Sequence, residues 1–196
     1  SNYVLVENTV PIISGVINSH VLPAKNELAT VTELVDDPDG IAKVSLFYRV
    51  DPRNTPEEIE MLDDGTGSDT VAGDGVFAAQ LPAQTSSKLV CFWVVATDAL
   101  DQAQTTTYPR NAPTRECLVR MGANPAKDND LGQYHYLVNR NNSTIWSNSH
   151  KRSNAPVPAT MVYNDERVIY NAGMYYGAGS FHSRVYSGPT GALSDY

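Results

Sequence analysis

No apolar stretch in this sequence approaches the length of a bilayer crossing, and no charged-then-apolar leader opens it, so neither a membrane-spanning helix nor a signal segment is read here. The first residues, Ser1 and Asn2, fit a processed terminus or an expression remnant. Positive charge is scarce: 14 Lys and Arg stand against 22 Asp and Glu, giving a net charge of −8 and a sequence pI near 4.8. A phosphate-backbone partner needs Lys and Arg to neutralise it, so the composition argues against nucleic acid. Cysteine is nearly absent. Cys91 and Cys117 allow one bridge, closing about 26 residues for about 3.5 kcal/mol on the chain-entropy model, or else they are two buried thiols acting as small hydrophobes. The histidines, His20, His135, His150 and His182, lie too far apart in sequence for a close zinc-ligand motif. No nucleophile-elbow motif accompanies them.

What is present divides in two. Up to Met121 there are 8 cations against 17 acids, a charge of −9, and only Tyr3, Tyr48 and Tyr108; the remainder carries about +1 and the other eight tyrosines. Between the halves runs Gly-Ala-Asn-Pro-Ala-Lys-Asp-Asn-Asp, turn-formers without apolar periodicity. The expected organisation is a first domain over 1–121, a linker over 122–132 and a second segment over 133–196. A chain of 196 residues is long enough to bury a core without disulfide staples.

The first domain reads as strands. Val44, Leu46, Tyr48 and Val50 alternate with Lys43, Ser45, Phe47 and Arg49, the period of two of a strand with one buried face. Val31 and Val35 mark a strand before it, 58–62 and 76–81 flank an acidic loop, and 88–97 is a near-continuous apolar run. Residues 105–108 and 117–121 supply a closing strand broken by Pro109 and Pro113. Short strands with a turn signal every ten residues or so predict a mostly β fold, a β-sandwich. Beyond the linker, 134–138 reads as a strand, Asn142 or Ser143 starts a helix, and 159–163 and 167–175 form a hairpin about Asn164-Asp165-Glu166. This segment is a small, incomplete α+β unit.

Two resemblances follow. Asp37-Pro38-Asp39-Gly40 leading into Val44 through Val50, then Asp63-Asp64-Gly65 with Asp69 and Ala72-Gly73-Asp74-Gly75 before Phe77, then Phe92 through Asp98, resemble successive elements of secreted bacterial immunoglobulin or fibronectin-III-like modules. That likeness implies an immunoglobulin-like sandwich, a secreted or cell-surface location, Phe92, Val94 and Ala96 in the core, and Trp93 facing outward or a neighbouring domain. Gln133-Tyr134-His135-Tyr136, Thr144-Ile145-Trp146, Met161 through Asn164 and Arg167 through Gly173 resemble the start of the spore-coat-protein-H kinase-like family. That implies an ATP- and metal-dependent kinase-like fold whose Lys, Glu and Asp motifs lie beyond Tyr196.

The chemistry to be weighed centres on residues 62–77. Asp63, Asp64, Asp69 and Asp74 are hard oxygen donors suited to calcium, with glycines that let carbonyls converge, although the spacing does not follow the helix-loop-helix calcium pattern. Alternatively, Asp and Gly build turns, with the carboxylates accepting backbone N–H groups. Asp36, Asp37, Asp39, Asp98 and Asp101 form a second acidic set at one end of the sandwich or simply solvated turns. Gly173 through Gly179 lacks the ending of a phosphate loop and reads better as a glycine-broken strand. Trp93, Trp146, Tyr134, Tyr136, Tyr175 and Tyr176 either stack on sugar rings or pack between domains.

The expected function is a non-catalytic extracellular structural or interaction module of a larger bacterial protein, contacting the neighbouring domains of its parent, with calcium as the candidate cofactor. The alternatives are a fragment of an atypical kinase and an adhesion module that binds a cell-surface protein or glycan.

Overall fold

A computed structural model describes residues 8–100, 103–122, 132–149, 155–174, 185–186 and 193–194. It is mostly β, with one short helix among the described residues. Strands β1 (Ile12–Asn18), β2 (Ala29–Asp36) and β5 (Val76–Leu81) form one antiparallel sheet in the order β1-β2-β5. A second is built on β3 (Ile41–Val50) and β6 (Lys88–Asp98), with β4 (Glu57–Met61) on the β3 edge. The other edge of β6 is shared. β7 (Thr105–Tyr108) pairs with Val94 through Thr97, and β8 (Cys117–Met121) pairs with Lys88 through Phe92. The interrupted strand expected from Pro109 and Pro113 is thus one edge in two halves, with residues 109–116 looping out between them.

Alternation places the core. Ala29, Val31 and Val35 of β2 and Ala79 and Leu81 of β5 meet Val44, Leu46 and Tyr48 of β3, Val90, Phe92, Val94 and Ala96 of β6, and Cys117, Val119 and Met121 of β8 in one buried cluster. Both sheets contribute to it. One acid interrupts this set: Glu33, on the same face of β2 as Val31 and Val35, is 1% exposed, and neither carboxyl oxygen has a hydrogen-bond partner.

Cys91 and Cys117 are both free and buried. Their separation follows from register: Cys117 pairs with Phe92 and points with it into the main cluster, whereas Cys91 pairs with Leu118 and points to the opposite face. Burial pushes both thiols well above their ordinary value, so neither is a ready nucleophile.

The chain after residue 132 adds a third sheet, ordered β11-β10-β9, from β9 (Tyr134–Leu137), β10 (Val157–Tyr163) and β11 (Arg167–Met174). Helix α1 (Arg140–Asn148) lies between β9 and β10 in sequence. The helix begins at Arg140 with Asn139 as N-cap, two or three residues earlier than Asn142 or Ser143 would place it: the Asn139 side chain accepts from Asn142 N at 2.8 Å. The hairpin turns at Asn164 and Asp165, both at positive φ, a conformation these short polar side chains tolerate. Val185–Tyr186 pairs with Leu193–Ser194.

This third sheet rests on the second. Leu137 and Val162 join Leu89, Cys91 and Leu118 in a smaller buried cluster, and Leu118 N donates to Thr160 Oγ1 at 3.1 Å. On β11, Tyr170 reaches the main cluster, its ring edge-on to Phe92 at 5.6 Å. Phe92→Ala is therefore expected to cost about 3–5 kcal/mol in a denaturant titration, from lost burial plus the cavity left in a core shared by three sheets.

Candidate functional site

Arg49 ends the outward-facing row of β3, a position that solvent fills on a single exposed sheet. Here it is buried. Its Nε and Nη2 donate to the two oxygens of Glu116, each at 2.6 Å, a bidentate pair. Its Nη1 donates to Asp51 Oδ1 at 3.1 Å and to the Arg53 carbonyl at 2.8 Å. Glu116 is the last residue of the looped-out stretch 109–116, so this pair ties the stretch back to β3.

The start of α1 completes the cluster. Asn139 Nδ2 donates to Glu116 Oε2 at 2.8 Å, and Arg140 N donates to Asp51 Oδ2 at 3.0 Å. Two carboxylates around one guanidinium leave a negative charge. Asp51 accepts an amide at the helix start, where the peptide dipoles favour an anion. Pairing with Glu116 raises the Arg49 guanidinium above its ordinary value, so it stays charged. Asn142 Nδ2 donates to the Pro158 carbonyl at 3.1 Å, extending the links to β10.

A groove of about 710 Å³ opens above these residues, walled by Pro52, Pro56, Pro113 and Trp93 and edged by Asn54, Thr114, Asn141 and Thr144. Trp93 is 7% exposed and stacks on Phe47, with ring centroids 5.5 Å apart and planes within 7°. Phe92, Val94 and Ala96 lie in the core, the placement that the likeness to immunoglobulin-like modules implies. Both carboxylates beneath the groove are saturated by Arg49, Asn139 and Arg140, which leaves neither as a free general base. Arg49, Asp51 and Glu116 carry no sequence signature of a site. The Asn-Arg pair at 139–140, an N-cap residue opening a helix, is the one local signal.

The acidic loop crosses from β4 to β5, with Leu62 and Ala78 bridged at its base. Each of the four aspartates accepts backbone amides. Asp63 takes Gly73 N at 2.6 Å, Asp74 N at 3.2 Å and Gly75 N at 2.9 Å. Asp69, 7% exposed, takes Gly65 N at 2.6 Å and Val71 N at 3.3 Å, and the Gly65 amide above all holds its carboxyl below the usual range. Asp64 takes Thr66 N at 2.9 Å, and Asp74 takes Val76 N at 2.9 Å. Gly65 is at φ +69°, where a Cβ would sit 2.9 Å from Ala72 N, so the turn demands glycine.

Asp63, Asp69 and Asp74 still bring one oxygen each within 4.8 Å of one another, while Asp64 stands outside this group. Hard carboxylate oxygens suit calcium in kind, but calcium takes six to eight ligands, and most lone pairs of Asp63 and Asp69 already serve amides. Backbone carbonyls or water would have to supply the rest.

In the second acidic set, Asp39 accepts from Thr9 N at 3.0 Å and Asp98 from Gln104 N at 3.0 Å, and Ala99 N donates to the Gly40 carbonyl at 3.0 Å, which puts the two connections at one end of the fold. Asp101 lies outside the described residues. His20 meets Glu27 at 3.0 Å and His135 meets Asp165 at 3.2 Å; His150 and His182 are outside the described residues. Tyr134 and Tyr136 are 58% and 56% exposed, and Trp146 is half-buried; Tyr175, Tyr176 and the glycine run from Gly177 to Gly179 lie outside the described residues. No helix among the described residues is long and apolar enough to cross a membrane. Comparison with protein-family models, curated proteins and solved structures finds no match.

Removing one partner of the buried pair leaves an uncompensated charge. Arg49→Met is expected to lower stability by about 3–5 kcal/mol, whereas Arg49→Met combined with Glu116→Leu recovers a large part of that loss. A double-mutant cycle by urea denaturation reads the coupling directly.

Proposed function

We propose that this chain is a non-catalytic structural and interaction module of a larger secreted or cell-surface bacterial protein. In this reading an immunoglobulin-like unit carries the opening part of a spore-coat-protein-H kinase-like domain and orders it. The observation that carries the proposal is the cluster of Arg49, Asp51, Glu116 and Asn139, which welds β3, the 109–116 stretch and the start of α1 into one rigid seat. Two features support the immunoglobulin-like part: two antiparallel sheets sharing one core, and alternation that puts Phe92, Val94 and Ala96 inward. The absence of catalysis is supported by the carboxylates of the groove and of the acidic loop, Asp51, Glu116, Asp63, Asp64, Asp69 and Asp74, which are engaged in pairs or amide bonds. Phosphoryl transfer needs positioned metal and charge neutralisation, which these residues do not offer.

The test is ATP turnover by the purified chain with magnesium or manganese. The expected result is none. Turnover that survives repurification and disappears on a substitution within the chain overturns the proposal and favours the kinase reading.

The second reading adds calcium at the acidic loop, favoured by the convergence of Asp63, Asp69 and Asp74. A ligand that binds only the folded state raises its melting temperature by mass action. Calcium binding predicts a calcium-dependent rise that Asp69→Ala or Asp74→Ala abolishes and Asp64→Ala keeps. Loop architecture alone predicts no heat and no shift up to millimolar calcium. In that case Asp63→Ala still costs about 2 kcal/mol, because three amide bonds are lost at about 1 kcal/mol or less each.

A further inference from the structure

The groove above the Arg49 cluster is walled by three separate parts of the chain: the turn 51–56 between β3 and β4, the stretch 109–116 and the first turn of α1. All three are fastened to one guanidinium network. Arg49 Nη1 holds the turn through Asp51 Oδ1 and the Arg53 carbonyl, Glu116 ties the stretch, and Asn139 Nδ2 with Arg140 N brings in the helix. The turn is also closed from within, Arg53 N donating to the Val50 carbonyl at 2.9 Å. Walls that share one buried anchor make a preformed concavity, in which a ligand has little to order. The volume of about 710 Å³ lies within the range of roughly 300–1,000 Å³ typical of ligand sites.

The rim differs in chemistry from the floor. On the floor the polar groups satisfy one another. At the rim, Asn54, Thr114, Arg140 and Asn141 are exposed, and their side chains hydrogen-bond to no other described residue. Amides and hydroxyls both donate and accept, which matches a ligand rich in hydroxyl groups. Charge is balanced, since the guanidiniums of Arg49 and Arg140 equal in number the carboxylates of Asp51 and Glu116. An anionic ligand would gain no net attraction there, the chain's net charge of −8 opposes it further, and the positive end of α1 already has its anion in Asp51. Pro52, Pro56 and Pro113 supply apolar surface without backbone N–H groups, so these walls offer poor ladders to an extended peptide.

We propose that this groove binds a neutral oligosaccharide. The proline rings and the exposed remnant of Trp93 take the C–H faces of the sugar rings, while the hydroxyl edges exchange hydrogen bonds with Asn54, Thr114, Arg140 and Asn141. The Arg49 cluster holds the walls in place and is already saturated, so it serves as the floor. Sugar binding rests on the chain being an interaction module, which ATP turnover tests separately, and it gives that module a partner of defined chemistry.

Titration calorimetry of the full chain with cellohexaose, xylohexaose, mannohexaose and chitohexaose tests the groove, with hexagalacturonate as the charged alternative and hexaproline as the peptide alternative. Binding of at least one neutral hexasaccharide is expected. Asn54→Ala combined with Asn141→Ala should weaken it about tenfold or more, through the loss of two hydrogen bonds at the rim. Both residues are exposed and take no part in the Arg49 network, so the melting temperature should stay at the parent's value. Asn148→Ala, at the far end of the same helix, should bind as the parent does. No heat with any of the four neutral sugars up to millimolar concentration overturns the proposal. So does tighter binding of hexagalacturonate or hexaproline, or a neutral-sugar affinity that the double variant retains.

Discussion

The bidentate bond between Arg49 and Glu116 is the constraint on which the rest of this arrangement hangs. The edge of the second sheet is interrupted between Tyr108 and Cys117, and a stretch leaving a sheet at that point has no ladder to direct its return. Glu116 directs it by locking onto the guanidinium of the central strand β3. The same carboxylate accepts from Asn139, whose side chain also caps α1, so one acid fixes both the loop and the entry of the helix. Burying two acids and one guanidinium offers little net stability compared with apolar side chains of the same volume. What the cluster contributes is placement: the planar fork accepts the carboxylate in one geometry, and the elements attached to it inherit that geometry.

Much of the strand framework was legible from alternation and turn residues. β3, β5, β7 and β8 run over the residues expected: β3, β5 and β8 carry apolar patterns next to Gly, Pro or Asp, and β7 is a β-branched Thr run closed by Tyr108 and Pro109. β1 was not resolved as a strand of its own, since Ile12 and Ile17 face solvent and its register slips between Ile13 and Val16. The period of two in β3 implied one buried face, yet Ser45 and Arg49 on the other face are buried too. Their cover comes from Glu58 on the neighbouring strand and from Glu116, 67 residues beyond Arg49. No local window of sequence contains that information. The helix start was misjudged for a related reason: in a run of Asn and Arg, several residues are competent caps, and Asn139 is selected by the carboxylate it also serves.

The acidic loop shows the same division between composition and placement. Four aspartates and four glycines announce a tightly specified turn: all four glycines take positive φ, which curls the backbone so that the amides of residues 73–75 meet Asp63. Which carboxylates converge is set by the folding of the loop. Asp64, adjacent to Asp63, turns to its own Thr66 and leaves the group, while Asp74, eleven residues away from Asp63, joins it. Glu33 is the sharpest case of a residue whose meaning depends on its surroundings. In sequence it is one acid in an alternating strand; in the fold it is a carboxyl buried beside an apolar core with no hydrogen-bond partner.

The divided edge of β6 has a bearing on how the protein behaves in a crowded solution. A long, straight, unpaired strand is a template on which another chain can add, and sheet proteins avoid aggregation by denying such templates. Here one rim of the second sheet is two short pieces with a proline-bearing loop thrown out between them, and the opposite rim, β4, presents Glu57, Glu58 and Glu60. An incoming strand would meet a gap on one side and repelling charge on the other. The stretch anchored by Glu116 thus keeps this rim broken into two short pieces, while β7 and β8 themselves cover the continuous apolar run of β6.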